Sequence, residues 1–193
     1  MSFSPEILER YKDRWDWSRL SRNEGLPWSF ELIKLFEDRW DFEMLSYNKS
    51  IPFSIEMIEL YTNRWTWSAL SWNPALPWSL DLVENYEHRW DWEHLSENTS
   101  LPWSLEFVGC YEERLDWRRL SKNPALPWSS ELIERYEDRW SWRELSENRI
   151  LILSALLRPA DISEIMTHHL AELEAIARSN SEIENEDDFD IPF

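Results

Sequence analysis

Four histidines, one cysteine and 38 carboxylates are the side chains with which this 193-residue chain would have to build an active site or a metal centre. His88, His94, His168 and His169 have neither the spacing of metal ligands nor a cysteine pair to complete a zinc site. Cys110 stands in a column of apolar or long side chains and is expected to be buried rather than nucleophilic. The carboxylates are so many that any two can be drawn as an acid–base dyad, and none stands apart. With two glycines, the chain also holds no phosphate-cradling loop of the P-loop or dinucleotide-binding kind. A protein without enzymatic activity, metal or cofactor is expected.

Recognition chemistry is better represented. An arginine precedes the same column position every 25 residues, as Arg14, Arg39, Arg64, Arg89, Arg114 and Arg139. Such a ladder, interleaved with tryptophan, can hold phosphates while the rings stack on bases of a single strand. It can equally stack on those rings and pair with an acidic residue of the next repeat. Charge favours the second use, because residues 1–150 carry 18 Lys plus Arg against 28 Asp plus Glu, a surface that repels a phosphate backbone. Direct nucleic-acid binding is therefore the weaker reading. Trp72 falls outside the repeated tryptophan columns and is expected on the surface as a partner contact. The remaining candidate is the C-terminal run of Asp187, Asp188, Phe189, Asp190, Ile191, Pro192 and Phe193, where an acidic stretch ends in apolar residues.

The elements that carry these residues follow from the period. "LPWSFELIKLFEDRWDFEMLSYNKS" (26–50) lies over "IPFSIEMIELYTNRWTWSALSWNPA" (51–75) and over three further units up to residue 150, while residues 1–25 form a sixth copy with a worn start. A fixed period of this size marks a stacked-repeat protein. The serines Ser4, Ser29, Ser54, Ser79, Ser104 and Ser129 have the N-cap position of a first helix, with an acidic residue in its first turn. Apolar positions such as Leu82, Val83 and Tyr86 then predict a helix of about three turns. A shorter second helix fits "DWEHLS", capped by Asp91 and closed by Asn98 in the left-handed conformation. No unit contains the alternating strand of a leucine-rich repeat.

The chain contains 15 tryptophans, and the columns Trp15/Trp40/Trp65/Trp90/Trp140, Trp17/Trp67/Trp92/Trp117/Trp142 and Trp28/Trp78/Trp103/Trp128 are expected to join unit to unit. The expected architecture is all-α: a right-handed α-solenoid of six 25-residue helix-turn-helix repeats over 1–150, C-terminal capping helices over 151–180, and a disordered acidic tail over 181–193. Asp161 and Glu164 form a capping box for the main capping helix. No apolar run reaches membrane-spanning length and the N-terminus lacks signal-peptide character, so a cytoplasmic protein without membrane contact is expected.

Residues 187–193 resemble the C-terminal tip of bacterial single-stranded-DNA-binding protein, SSB, whose tails end in an acidic run followed by Ile-Pro-Phe or Leu-Pro-Phe. The resemblance covers about seven residues; nothing in the chain resembles that family's oligonucleotide-binding barrel. It implies docking on a genome-maintenance or defence protein that receives such tails. In that reading Phe193 fills an apolar pocket, its carboxylate accepts an arginine, Pro192 limits the entropy of ordering, and the aspartates steer toward a basic rim. The repeat "W-x-W-x-x-L-S-x-N" resembles tryptophan-rich tandem repeats of uncharacterised bacterial and viral proteins, which imply no activity. The expected function is a protein–protein interaction protein, a phage-type inhibitor or competitor of SSB or an adaptor. The alternatives are a nucleic-acid mimic acting through the acidic surface, and single-strand binding by the arginine–tryptophan columns.

Overall fold

The computed structural model describes residues 5–147, and these form helices joined by turns, with no strand among the described residues. Two helices make each repeat: α1 (Pro5–Arg10) with α2 (Trp17–Ser21), α3 (Phe30–Leu35) with α4 (Phe42–Tyr47), α5 (Ile55–Leu60) with α6 (Trp67–Trp72), α7 (Leu80–Asn85) with α8 (Trp92–Glu97), α9 (Leu105–Cys110) with α10 (Trp117–Leu120), and α11 (Ser130–Arg135) with α12 (Trp142–Glu147). The second helices α2, α4, α6, α8 and α10 pack on one another in succession, which makes the chain an all-α repeat solenoid. The proposed capping helices, including Asp161 and Glu164, and the acidic tail lie outside the described residues.

Side-chain caps start the helices. Ser29, Ser54, Ser79, Ser104 and Ser129 each accept a bond from the backbone N–H three residues on, at 3.0 to 3.2 Å. Asp16, Asp41, Asp91 and Asp116 do the same for the second helices. Thr66 takes that place in the third repeat without a side-chain cap bond.

The first helices are six residues long, shorter than expected by more than a turn, so the three-turn expectation is corrected. Tyr86 leaves the helical region at φ −119°, and Arg89 N–H bonds back to Tyr86 O in a tight turn. Trp90 then folds under the helix and its Nε1 donates to Val83 O at 3.1 Å, with Trp140 doing the same to Ile133 O. In these two repeats the indole occupies a carbonyl that a longer helix would have claimed for its own backbone, while α3 and α5 stop at the same length without that bond. Asn98 is also corrected: its backbone is extended (φ −70°, ψ 117°), and no described residue has a positive φ.

Asn98 and its counterparts have a different task. Asn48, Asn73, Asn98 and Asn123 are buried, and each donates through Nδ2 to the carbonyl of Ser21, Ser46, Ser71 or Ser96 in the preceding repeat, at 2.9 Å. Each Oδ1 accepts the backbone N–H two residues on, and the main-chain oxygens of Asn73, Asn98 and Asn123 accept the indole N–H of Trp78, Trp103 and Trp128. Beside them Ser21, Ser46, Ser71, Ser96 and Ser121 are fully buried; each accepts the N–H of the residue that opens the next repeat's second helix. A polar spine thus runs through the stack with its buried groups paired, as a low-dielectric interior requires.

Rings provide the apolar half of each junction. Trp17 meets Phe36 and Trp40, Phe42 meets Tyr61 and Trp65, Trp67 meets Tyr86 and Trp90, and Trp117 meets Tyr136 and Trp140, with centroids 4.8 to 5.2 Å apart. Trp40, Trp65, Trp90 and Trp140 are buried. Cys110, expected in the core, is exposed, because the last residue of each first helix faces outward, as the exposed Leu35 and Leu60 also do.

Two outcomes follow from these contacts. Asn73→Ala strands the carbonyls of Ser46 and Asn48 and the N–H of Ala75, and should cost roughly 2–4 kcal/mol in a denaturant-unfolding measurement. Burial, reinforced by its bond to Glu37 at 2.8 Å, pushes the Tyr61 phenol up to about 12 from an ordinary 10.0, and burial also raises Tyr86, Tyr111 and Tyr136. A raised phenol stabilises the fold fully below its unfolded value and loses that contribution as it ionises. Unfolding free energy should therefore fall as pH rises from about 10 through about 12. Urea titrations across that range test this, and Tyr61→Phe should flatten the slope.

Candidate functional site

Arginine side chains of the repeated column reach back across the junctions. Arg39 Nη2 lies 3.0 Å from Asp13 Oδ1, Arg89 Nη2 donates to Asn63 Oδ1 at 3.1 Å, and Arg114 Nε lies 3.0 Å from Glu87 Oε1. Arg139 pairs with Glu113 and donates to Glu112 O at 3.1 Å. The guanidinium groups also cover rings: Arg64 sits 3.9 Å from the centre of Phe42, and Arg89, Arg114 and Arg139 sit 5.6 Å from Trp67, Trp92 and Trp117. Arg114 and Arg139 thus clamp ring and acid together at their junctions, while Arg39 meets an acid, Arg64 a ring, and Arg89 a ring and an amide. The acid belongs to the preceding repeat rather than the next, as does the ring. Arg14 stands at the open first repeat, where it lines a cavity of about 350 Å³ with Ile7, Tyr11 and Trp15.

Trp72 is 44% exposed, as its place outside the columns predicts. It does not stand alone. The same repeat position carries Tyr47 in the preceding unit, also exposed, and the two rings border a groove of about 370 Å³ with Arg22, Met44 and Lys49. Lys49 Nζ lies 4.4 Å above the Trp72 ring. Tyr47 could have been found by comparing that one position across the units, since its neighbours there are Arg22, Glu97 and Lys122.

Other exposed apolar side chains, Leu35, Ile55, Leu60 and Leu80, lie on the first helices. Trp142, assigned from the sequence to a core column, is instead 54% exposed, since no following junction covers it among the described residues. The tail residues Asp187, Asp188, Phe189, Asp190, Ile191, Pro192 and Phe193 lie outside the described residues.

Among the described residues the titratable groups form no centre. His94 Nδ1 lies 2.8 Å from Asp91 Oδ2; burial opposes the Asp91 charge, but bonds from the His94 backbone and ring outweigh it and hold the carboxyl below its usual range. This is the chemistry of a helix cap. Glu144, tucked under the last described junction, is held low by Lys122 and Arg118 at 2.9 and 3.0 Å. Among the described residues no group of three or more His, Cys, Asp or Glu is placed to hold a metal ion, and no helix is long and apolar enough to cross a membrane.

Compared with protein families, curated proteins and solved structures, the chain matches none.

Burial divides the tryptophans by role. Trp90→Ala should cost roughly 3–5 kcal/mol of stability, the range for emptying a large aromatic from a packed core. Trp72→Ala should cost less than about 1 kcal/mol, the worth of an exposed cation–π contact, while removing a tryptophan open to acrylamide quenching. Denaturant unfolding and quenching of the two variants provide the comparison.

Proposed function

We propose that this protein is a non-enzymatic interaction protein, in which the helical solenoid carries a C-terminal segment, Asp187 to Phe193, that docks on a replication, repair or defence protein with a socket for SSB-type tails. The observation that carries the reading is the order of residues in that segment: three aspartates around Phe189, then Ile191, Pro192 and Phe193. An acidic run draws such a segment toward a basic rim, and a ring next to a carboxylate suits an apolar pocket with an arginine at its lip. The repeats support it indirectly. Their arginine and tryptophan columns are engaged in joining unit to unit, so this ladder is not held free for nucleic acid.

A second reading rests on the exterior itself. Glu31, Glu56, Asp81, Glu106 and Glu131 occupy one position of successive repeats, and all are exposed. One carboxylate per repeat makes a regular anionic row, the form that a mimic of a nucleic-acid backbone takes when it blocks a basic binding site.

Capture of partners from bacterial lysate by the whole chain and by Phe193→Ala separates the readings. Tail docking predicts that the variant loses its genome-maintenance partners, and that calorimetry at modest salt shows at least a tenfold weaker affinity, the scale of about 1.5–3 kcal/mol for one apolar side chain. Unchanged partner capture by the variant, abolished instead by substituting the Glu56–Asp81–Glu106 row, supports the mimic.

A further inference from the structure

One repeat position changes character in two successive units. At or just after the end of the second helix the six repeats carry Arg22, Tyr47, Trp72, Glu97, Lys122 and Glu147, so the second and third repeats place a ring where the others place a charge. These rings are not the ones that join the stack. Junctions are made by other columns, as Trp67 does with Tyr86 and Trp90, whereas Tyr47 and Trp72 are 45% and 44% exposed among the described residues. With half-buried Met44 they line the groove of about 370 Å³, together with two cations, Arg22 and Lys49, and one acid, Glu24. Lys49 Nζ lies 4.4 Å from the centre of the Trp72 ring, so cation and ring form one surface.

Rings set among cations, on a chain of net charge −18, suit a peptide segment with rings set among carboxylates. A nucleic-acid strand would need cations continued along its path, and the next repeat places Glu97 there. The chain itself contains a segment of the first kind. Residues 181–193 hold six Asp and Glu and no Lys or Arg, with Phe189 between Asp188 and Asp190, and Phe193 four residues on. The intervening 37 residues, 148–184, are long enough to bring it there. Even if wholly helical they run about 55 Å, whereas three helix spacings of about 8–10 Å separate α6 from α12.

We propose that the Tyr47–Trp72 groove receives residues 187–193 of the same chain, with the rings of the segment against Tyr47 and Trp72 and its aspartates toward Arg22 and Lys49. A tether holds the segment at an effective concentration on the order of a millimolar, so a shallow groove of about millimolar affinity is already half filled within one chain. The contact is electrostatic in part and weakens as salt screens it. It is also a regulatory contact. A segment held in the groove is withheld from any other protein, and a protein that takes the segment leaves the groove empty. The inference stands on the groove and the charge of the segment, and it does not require that the segment dock on a partner.

The test reads the contact in the full chain by nuclear magnetic resonance, with Cys110→Ser removing the single cysteine and Asn185→Cys carrying a nitroxide label. At low salt the amide signals of Met44, Tyr47 and Lys49 and the indole signal of Trp72 should broaden. Spin-labelled chains mixed with isotope-enriched unlabelled chains should show no broadening, since the contact lies within one chain. Phe189→Ala with Phe193→Ala should abolish it, as should Tyr47→Ala with Trp72→Ala. Arg22→Glu with Lys49→Glu, at exposed positions, should do the same, and circular dichroism checks that each variant keeps its fold. About 1 M salt, which screens charges beyond about 3 Å, should restore sharp signals. Absence of broadening at low salt overturns the proposal, as does broadening that survives the groove substitutions or passes between chains. Partner capture is a separate readout, so failure of either reading leaves the other standing.

Discussion

A buried asparagine bonded to the backbone of the previous repeat is the constraint on which this architecture depends. The repeat is 25 residues, with two helices of about six residues each, and helices so short are not stable alone in water. Each repeat also ends in polar groups that it cannot satisfy by itself: the Asn73 amide needs the carbonyls of Ser46 and Asn48, and the Ser71 hydroxyl awaits the Asp91 N–H. Leaving any of these dry and unpaired costs more than the bond contributes when made. A repeat is therefore folded only in company, and the register between neighbours is set by hydrogen bonds rather than by apolar contact alone.

The aromatic columns act within that register. Each large ring buries on the order of 150–250 Å², far more than an aliphatic side chain, so a unit with few residues can still form a substantial junction. The arginine column closes the outer edge of the same junction, covering a ring and meeting an acid or a carbonyl of the preceding repeat. Residues that look from their chemistry like a nucleic-acid ladder are thereby engaged in holding the stack together. What faces solvent is polar, with carboxylates somewhat in excess of arginine and lysine, a few apolar side chains on the first helices and the Tyr47–Trp72 pair on the second.

Repetition also locates the places where the pattern is incomplete. The Tyr47–Trp72 groove is a local departure at one repeat position, whereas the exposed Tyr11, Asn23, Trp142 and Ser146 follow the pattern and stand at the ends of the described repeats. The first kind of exposure is particular to two units. The second arises from stacking identical faces and belongs to the ends alone.

The period, the all-helical character and the helix starts were determined by the sequence itself, because each is a local matter. Ser29 and Asp91 cap helices through the N–H groups of residues a turn away, and the spacing of Leu82 and Val83 reports a helical face without reference to anything distant. Where the first helix stops, whether Cys110 is buried, and what Asn98 does were decided only by the tertiary structure. In the fourth repeat the first helix ends where the Trp90 indole takes the Val83 carbonyl, and Asn98 is extended with its amide drawn across to Ser71 of the previous repeat. Burial of a column member such as Trp142 likewise depends on whether another unit follows. These outcomes turn on contacts beyond one helical turn, seven residues apart for Trp90 and Val83 and 27 for Asn98 and Ser71, and no local preference of the chain contains them.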